Sequence, residues 1–366
     1  MRTAPVPRRC EMSQYRKARG AVVTSAGGPV QVVPIEVPEP IGTEVLIAVE
    51  ACGLCHSDLH YIDGSSGTDF PYLLGHEIVG HIDSVGPQVT GLEPGQRVVV
   101  ALMAPCGECD QCRRGRALSC VNKIRPARSA RLETGETLTS VLAAGGLATH
   151  VTVEAQHVSP ITEALPDEQA ALLGCGIPTG YGAVHNTAGV VEGDAVAVIG
   201  SGGVGLAAIG AAKAAGAGRI LALDLNPDKL EEAKSFGATE VHVPGRGDLP
   251  TGFDTVIDAV GGAATLRTAI SLAGSGARVI LSGAPTQTEV ADYGMREVFL
   301  KRLRIEISHW GDCLPERDLA AITAQVEDGS FPIARYVSEV VPLDDCAAAY
   351  ERLREGKVLR SVIQIS

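Results

Sequence analysis

Four cysteines within fifteen residues, Cys106, Cys109, Cys112 and Cys120, carry the most specific chemical signal in the chain. Their spacing, on a stretch holding Gly107 and Gly115, suits a closed tetrahedral zinc with no position left for substrate. Four-cysteine runs of similar spacing also hold iron–sulfur clusters, so both metals stay open at this point. Arg113, Arg114 and Arg116 would partly offset the charge of four thiolates. A second group reads Cys52-Gly53-Leu54-Cys55-His56-Ser57-Asp58-Leu59-His60, followed by Gly75-His76-Glu77. Cys52 and Cys55 could be a redox C-x-x-C pair, but no thioredoxin-like βαβ pattern surrounds them. A cysteine, a histidine and a distant second cysteine can instead hold a catalytic zinc with one position open. A lone cysteine, Cys175, sits among glycines in Gly-Cys-Gly-Ile-Pro-Thr-Gly-Tyr-Gly.

These groups must be positioned by two kinds of architecture. From residue 195 onward the pattern alternates βα. A strand over 195–199 runs into Gly200-Ser201-Gly202-Gly203-Val204-Gly205, and an alanine-rich helix follows over 206–215. This is the G-x-G-x-x-G turn, whose glycines let a dinucleotide pyrophosphate approach the N–H groups at a helix N-terminus. A glycine-rich loop closing an ordinary βα unit is the bland alternative. A second strand over 219–223 then delivers Asp224 about 20 residues beyond the turn, where a carboxylate binds ribose hydroxyls and would repel a 2′-phosphate. NAD is therefore favoured over NADP. The strands 253–258 and 277–282, with a helix over 263–273 between them, continue a doubly wound parallel sheet. Ahead of residue 195 the chain reads as short strands, at 20–25, 30–34 and 44–50, punctuated by proline and glycine clusters. That half is a β-rich, barrel-like domain.

At 366 residues two domains are expected. The net charge of −12 argues against nucleic acid or an anionic membrane surface as partner. No apolar run has the length of a membrane span, and the N-terminus lacks the apolar core of a signal peptide. Ten cysteines in that setting indicate a reducing, cytoplasmic compartment, with cysteines serving as ligands or free thiols. Residues 1–19 are basic and patternless, and are expected to be a flexible extension.

In order along the chain, CGLCHSD, GHE, the four-cysteine loop, GCGIPTGYG and VAVIGSGGVG with Asp224 together resemble the zinc-dependent medium-chain alcohol dehydrogenases. The resemblance runs from Ala21 to Ser366. GDCLPERD (311–318) and KVLRSV (357–362) are similar to the nitrosoaniline-dependent branch, which is related to thiol-dependent formaldehyde dehydrogenases. The fold this implies is α/β: a β-rich GroES-like catalytic domain over 20–184, completed by 309–366, and a doubly wound parallel-sheet Rossmann domain over 185–308.

The resemblance further implies two zinc ions and NAD per chain. Cys55, His76 and Cys175 would bind the catalytic zinc, the two-cysteine, one-histidine set known for alcohol dehydrogenase. Glu77 would be a carboxylate able to approach the metal, and Asp58 the acceptor that orients His76. Cys106, Cys109, Cys112 and Cys120 would bind the structural zinc. Ser57 would hydrogen-bond the substrate oxygen and pass its proton toward His60. His56 stands where many relatives carry a pyrophosphate-binding arginine, and Arg360 matches the family's other one. Thr179 and Val204 would back the nicotinamide, Gly200, Gly202, Gly203 and Gly205 would admit the pyrophosphate, and Lys229 would join Asp224 at the adenosine ribose. Leu102, Met103, Trp310 and the segment 124–146 would shape the substrate pocket. The implied reaction is hydride transfer between an alcohol or aldehyde and NAD(H), in a homodimer or homotetramer. A reductase of C=C or C=N bonds, a thiol-dependent formaldehyde dehydrogenase and a catalytically idle protein of the same fold remain as alternatives.

Overall fold

A computed structural model describes residues 14–122 and 125–366. Three sheets carry it. The strand Glu44–Gly53 is central to the first domain, pairing with Glu77–Val85, His150–Glu154 and Arg360–Gln364 in a seven-stranded sheet. Its apolar residues alternate between cores: Val45, Ile47 and Val49 face one cluster, and Leu46 faces another. Both faces are therefore covered, as a continuous apolar run in a strand requires. A five-stranded sheet, in the order Arg131–Leu132, Gln31–Pro38, Tyr15–Val23, Tyr72–Leu73 and Thr139–Ser140, closes the other side.

The third sheet has six parallel strands, in the order Glu240–His242, Arg219–Leu223, Ala195–Ile199, Phe253–Asp258, Ala273–Leu281 and Arg304–Ile307. The strand order reverses on either side of Ala195–Ile199, so a crevice opens at the carboxyl end of that strand, where dinucleotides bind in such sheets. The helix Gly203–Ala214 follows it directly, with Leu206 through Ala212 fully buried. Small side chains let that helix lie flat on the sheet and accept a second helix, Gly176–Gly182, on its flank. There Gly180 lies so close that a Cβ would come within 2.3 Å of the Val204 carbonyl. Cys175 sits at the head of this second helix, and so at the seam between the domains.

The strands at 195–199, 219–223 and 253–258 match expectation. Several boundaries differ, among them the strand expected at 277–282, which runs over Ala273–Leu281. The strand Tyr15–Val23 makes residues 15–19 sheet and not a flexible extension; Tyr15 to Val22 pair with Gln31 to Pro38 residue by residue. Residues 1–13, including Cys10 and Met12, lie outside the described residues, as do Lys123 and Ile124. The strand expected at 30–34 runs over Gln31–Pro38, paired along one side with Tyr15–Val23, while on its other side Arg131–Leu132 pairs only with Ile35 and Glu36. The nucleotide helix starts at Gly203, within the turn, and not at 206. After Ser308 the chain runs along the seam: the helix Pro315–Glu327 lies against Gly176–Gly182 and Val158–Pro160, the Tyr336 ring packs edge-on to Phe236 at 4.8 Å, and Val337–Pro342 and Arg360–Gln364 join the first domain's sheet.

Candidate active site and zinc centres

Strand register brings the first two ligands together. Gly53 lies opposite Glu77 in the antiparallel pair, so Cys55, two residues past one strand, meets His76, one residue before the other. Gly53 has to be glycine: a Cβ would sit 2.3 Å from Glu77 Oε2. The helix His56–Ile62 begins at Cys55 because Asp58 Oδ2 accepts the Cys55 N–H at 3.2 Å, a carboxylate satisfying an orphan donor. Cys175 arrives from the domain seam. One potential ligand atom from each of Cys55, His76, Glu77 and Cys175 lies within 4.8 Å of all the others, and all four residues are buried.

The donors fit a cation. His76 Nε2 and Glu77 Oε2 are buried without a hydrogen-bond partner, a costly state that a bound ion removes. Asp58 Oδ1 lies 3.2 Å from His76 Nδ1 and also accepts the Gly75 N–H at 3.2 Å. This carboxylate holds the ring proton on Nδ1 and leaves the Nε2 lone pair facing the cluster, the arrangement of metal-bound imidazoles. The Cys55 thiol is held well below its ordinary range, chiefly by a hydrogen bond from Cys175 and then by Arg360 and His76. Cys175 is pushed up correspondingly, first by Cys55 and then by burial. Burial pushes Glu77 up to about 7 against the pull of Arg360. Arg360 Nη1 donates to the Leu54 carbonyl at 2.9 Å and lies 3.3 Å from Glu77 Oε1. Replacing Asp58 by asparagine is expected to weaken binding at this centre about 10- to 100-fold. Zinc content after dialysis against a chelator measures it, and wild-type retention would contradict the role given to Asp58.

The four-cysteine loop makes the second centre. Cys106 Sγ lies 3.9 Å from Cys112 Sγ, and Cys109 Sγ 3.9 Å from Cys120 Sγ. A tetrahedron with Zn–S bonds of about 2.3 Å has edges of about 3.8 Å. A multi-iron cluster would hold the sulfurs wider apart, so the geometry selects a single ion. Backbone N–H groups of Cys109, Cys112 and Cys106 donate to Cys106, Cys109 and Cys120 Sγ respectively, and Asn122 Nδ2 donates to Cys106 Sγ. These donors favour thiolates, and the Cys112 and Val121 N–H groups bring Cys109 down to about 6.

Across the cleft stands the glycine turn. Gly200 takes φ of +90°, and a Cβ on Gly205 would sit 1.7 Å from the Gly200 carbonyl, so neither position admits a side chain. Asp224 Oδ2 accepts the Ser201 N–H and Oδ1 the Asn226 N–H, both at 2.8 Å, which fixes the carboxylate against the turn. Arg360 lies hard against Gly203 and Gly176, so one guanidinium touches both the turn and the zinc-site glutamate. His56 is exposed to the cleft yet crowded. Desolvation lowers its pKa first, opposed by Cys55, with Arg360 and Lys229 lowering it further. Ser57 Oγ lies 3.7 Å from Cys55 Sγ, and His60 Nδ1 lies 3.2 Å from Ser65 Oγ. The Thr179 hydroxyl donates to the Cys175 carbonyl at 2.8 Å, close to Val204 through the adjoining Gly180.

Leu102 and Met103 are half-buried against the main core cluster. Trp310, expected at the substrate pocket, is 2% exposed, and its Nε1 donates to the Gly174 carbonyl at 2.9 Å. That bond ties it to the residue before Cys175. Neither this role nor the contact of Arg360 with Glu77 left a sequence signal, since both arise between segments more than 100 residues apart. Cys52, Cys313 and Cys346 are buried free thiols, as expected.

A buried Cys/His/Cys cluster facing a dinucleotide turn, with a closed four-cysteine centre alongside, defines a class of two-domain metal-assisted nicotinamide oxidoreductases. Residues 42–163 match the alcohol dehydrogenase GroES-like domain, and residues 203–326 match the zinc-binding dehydrogenase family. The chain belongs to the zinc-binding medium-chain alcohol dehydrogenase family. It is 34% identical over 369 residues to S-(hydroxymethyl)glutathione dehydrogenase of Photobacterium damsela subsp. piscicida, covering 95% of this chain and 99% of that one. Among solved structures it is similar to an alcohol dehydrogenase zinc-binding domain protein from Burkholderia ambifaria, with TM-score 0.90, 30% identity, and 96% and 100% of the two chains covered. Benzyl alcohol dehydrogenase from Acinetobacter calcoaceticus is also similar, with TM-score 0.89, 28% identity and the same coverage. The protein is thus a zinc-dependent, NAD(P)-binding oxidoreductase with GroES-like and Rossmann domains. Among the described residues no helix is long and apolar enough to cross a membrane.

Proposed function

We propose that the protein interconverts a primary alcohol and its aldehyde with NAD(H), with Cys55, His76 and Cys175 holding the catalytic zinc. The convergence of those three side chains beside Ser57 and the glycine turn carries this reading. When bound, zinc supplies a Lewis acid that makes the alcohol acidic, and the nicotinamide supplies the hydride acceptor. The chain's own groups do the rest. Ser57 hydrogen-bonds the substrate oxygen and holds its proton, and His60, braced by Ser65 in the turn just after that helix, hands that proton to solvent. Asp224 selects the unphosphorylated ribose, and Arg360, Lys229 and His56 receive the pyrophosphate and adenosine end. Leu102 and Met103 offer an apolar wall, which suits a substrate with a hydrophobic tail.

The test is a panel of aliphatic and benzylic alcohols, their aldehydes, S-hydroxymethyl thiol adducts and enals, followed by nicotinamide absorbance. Alcohol oxidation is expected with NAD favoured over NADP on the order of 10- to 100-fold, the cost of a phosphate beside a carboxylate. Reduction of enals alone would overturn the reading. Exclusive use of thiol adducts would instead favour the activity named for the S-(hydroxymethyl)glutathione dehydrogenases at 34% identity.

A homodimer or homotetramer is part of this reading. Arg304–Ile307 is the outer strand of the parallel sheet, and Met295, Phe299, Leu300 and Ile307 are all more than 60% exposed beside it. An open edge flanked by apolar side chains is a surface that a second copy covers. Sedimentation of the purified protein is expected to give at least a dimer, and a monomer at micromolar concentration would refute this.

A further inference from the structure

The turn His309–Asp312, just after the outer strand, holds three consecutive residues in the left-handed region: Trp310 at φ 52°, Gly311 at 72° and Asp312 at 49°. Gly311 adopts this freely. Trp310 does so only under strain, Asp312 more readily, and such strain persists only where the surroundings over-determine it. The surroundings here are a single segment. Trp310 Nε1 donates to the Gly174 carbonyl at 2.9 Å, and Asn186 Nδ2 donates to the Gly311 carbonyl at 3.2 Å. Thr187 Oγ1 lies 2.8 Å from Ser308 Oγ and donates to Asp312 Oδ2 at 2.7 Å. Gly311 also fits so tightly that a Cβ would sit 2.2 Å from the Pro178 carbonyl. All of these contacts fall on residues 174–187, at whose head Cys175 stands.

Cys175 needs such a restraint. It lies between the turn ending at Gly174 and the helix starting at Gly176, and its own φ of −143° and ψ of −74° belong to neither helix nor strand. Its direction is set by what packs on those flanking glycines, where a Cβ on Gly174 would meet Glu77 Cα and one on Gly176 would meet Arg360 Nη2. The Gly174 carbonyl is gripped twice, by Trp310 Nε1 and by the Leu102 N–H at 3.1 Å.

We propose that the left-handed turn 309–312 is a clamp for the catalytic metal centre, with Trp310 a positioning residue that fixes Cys175 through the Gly174 carbonyl. The clamp also ties the metal to the nucleotide domain, because the turn hangs from the last strand of the parallel sheet. This rests on Cys175 being a zinc ligand. A residue that merely fills the core would lower overall stability and treat both zinc ions alike. A clamp acts on one of them.

The experiment follows zinc transfer from the holoenzyme to excess chromogenic chelator. The ion that Cys175→Ser fails to retain identifies the catalytic centre. Trp310→Phe keeps an aromatic ring and removes the N–H donor. It is expected to speed release of that ion about 10- to 100-fold, the usual cost of losing a partner behind a ligand, and to leave the other ion at its wild-type rate. Thr187→Val, which frees the far end of the turn, is expected to act in the same direction by a few-fold. It decides the matter alone if Trp310→Phe does not fold. Wild-type release of the identified ion, or equal acceleration of both ions together with a fall in melting temperature, would overturn the clamp. Should Cys175→Ser retain both ions at wild-type rates, the ligand assignment itself fails and the clamp falls with it.

Discussion

Replacing Cys175 by alanine is expected to lower turnover about 1,000-fold or more while nucleotide affinity stays near wild type. Lewis-acid stabilisation is worth several kcal/mol, and each 1.36 kcal/mol is a factor of ten in rate. The substitution removes one of three strong donors from a centre whose ligand atoms lie within 4.8 Å of one another. Water cannot replace it in kind, because the site is buried. The nucleotide turn is built from other residues, held by Gly200, Gly205 and the Asp224–Ser201 hydrogen bond. The two effects therefore separate. Turnover followed by nicotinamide absorbance, beside a cofactor titration by fluorescence, measures both. Activity within ten-fold of wild type would sink the metal-assisted reading, and loss of nucleotide binding would show that the two sites are not independently built.

Cys109→Ala is expected to act on folding. Structural zinc contributes about 10–16 kcal/mol of apparent binding free energy in small zinc modules. Losing even a quarter of that, about 3 kcal/mol, lowers the melting temperature by roughly 6–12 °C in a large domain. Cys109 also begins the short helix Asp110–Arg113, accepting the Cys112 N–H, so loop and metal unravel together. Cys55, His76 and Cys175 stay in place. Differential scanning calorimetry with zinc stoichiometry measures the outcome, and a wild-type melting curve with one zinc fewer would contradict the structural role.

The two centres differ in how far they could be read from the chain. The four-cysteine loop is local: its ligands sit within one short stretch, so spacing alone brought them together, and only the choice of zinc over an iron–sulfur cluster waited for the 3.9 Å sulfur separations. The glycine turn is local as well, and its strand, helix and acid follow in the expected order. Cys55, His76 and Cys175 are dispersed over more than 100 residues, and their grouping came from resemblance to a known family. Strand register explains that grouping afterwards, through the Gly53 and Glu77 pair and the domain seam. The boundary at 15–19 was misplaced for a local reason. Basic side chains on Tyr15–Val23 hid a strand whose small inward residues, Ala18 and Gly20, carry its packing. The amphipathic helix Pro315–Glu327 could face either domain, and sequence periodicity does not say which.

Local chemistry, then, was written in the order of residues: a closed thiolate site, a dinucleotide turn with its ribose acid, and a C-x-x-C-H-S-D motif able to supply a ligand and its supporting carboxylate. Tertiary structure alone decided that Arg360 joins the turn to Glu77, that Trp310 Nε1 bonds the Gly174 carbonyl beside Cys175, and that Asn186 and Thr187 hold the left-handed turn 309–312. Covalent neighbours reveal themselves by spacing. Contacts across a domain seam depend on register, helix flank and close glycine packing, which no short window of sequence contains.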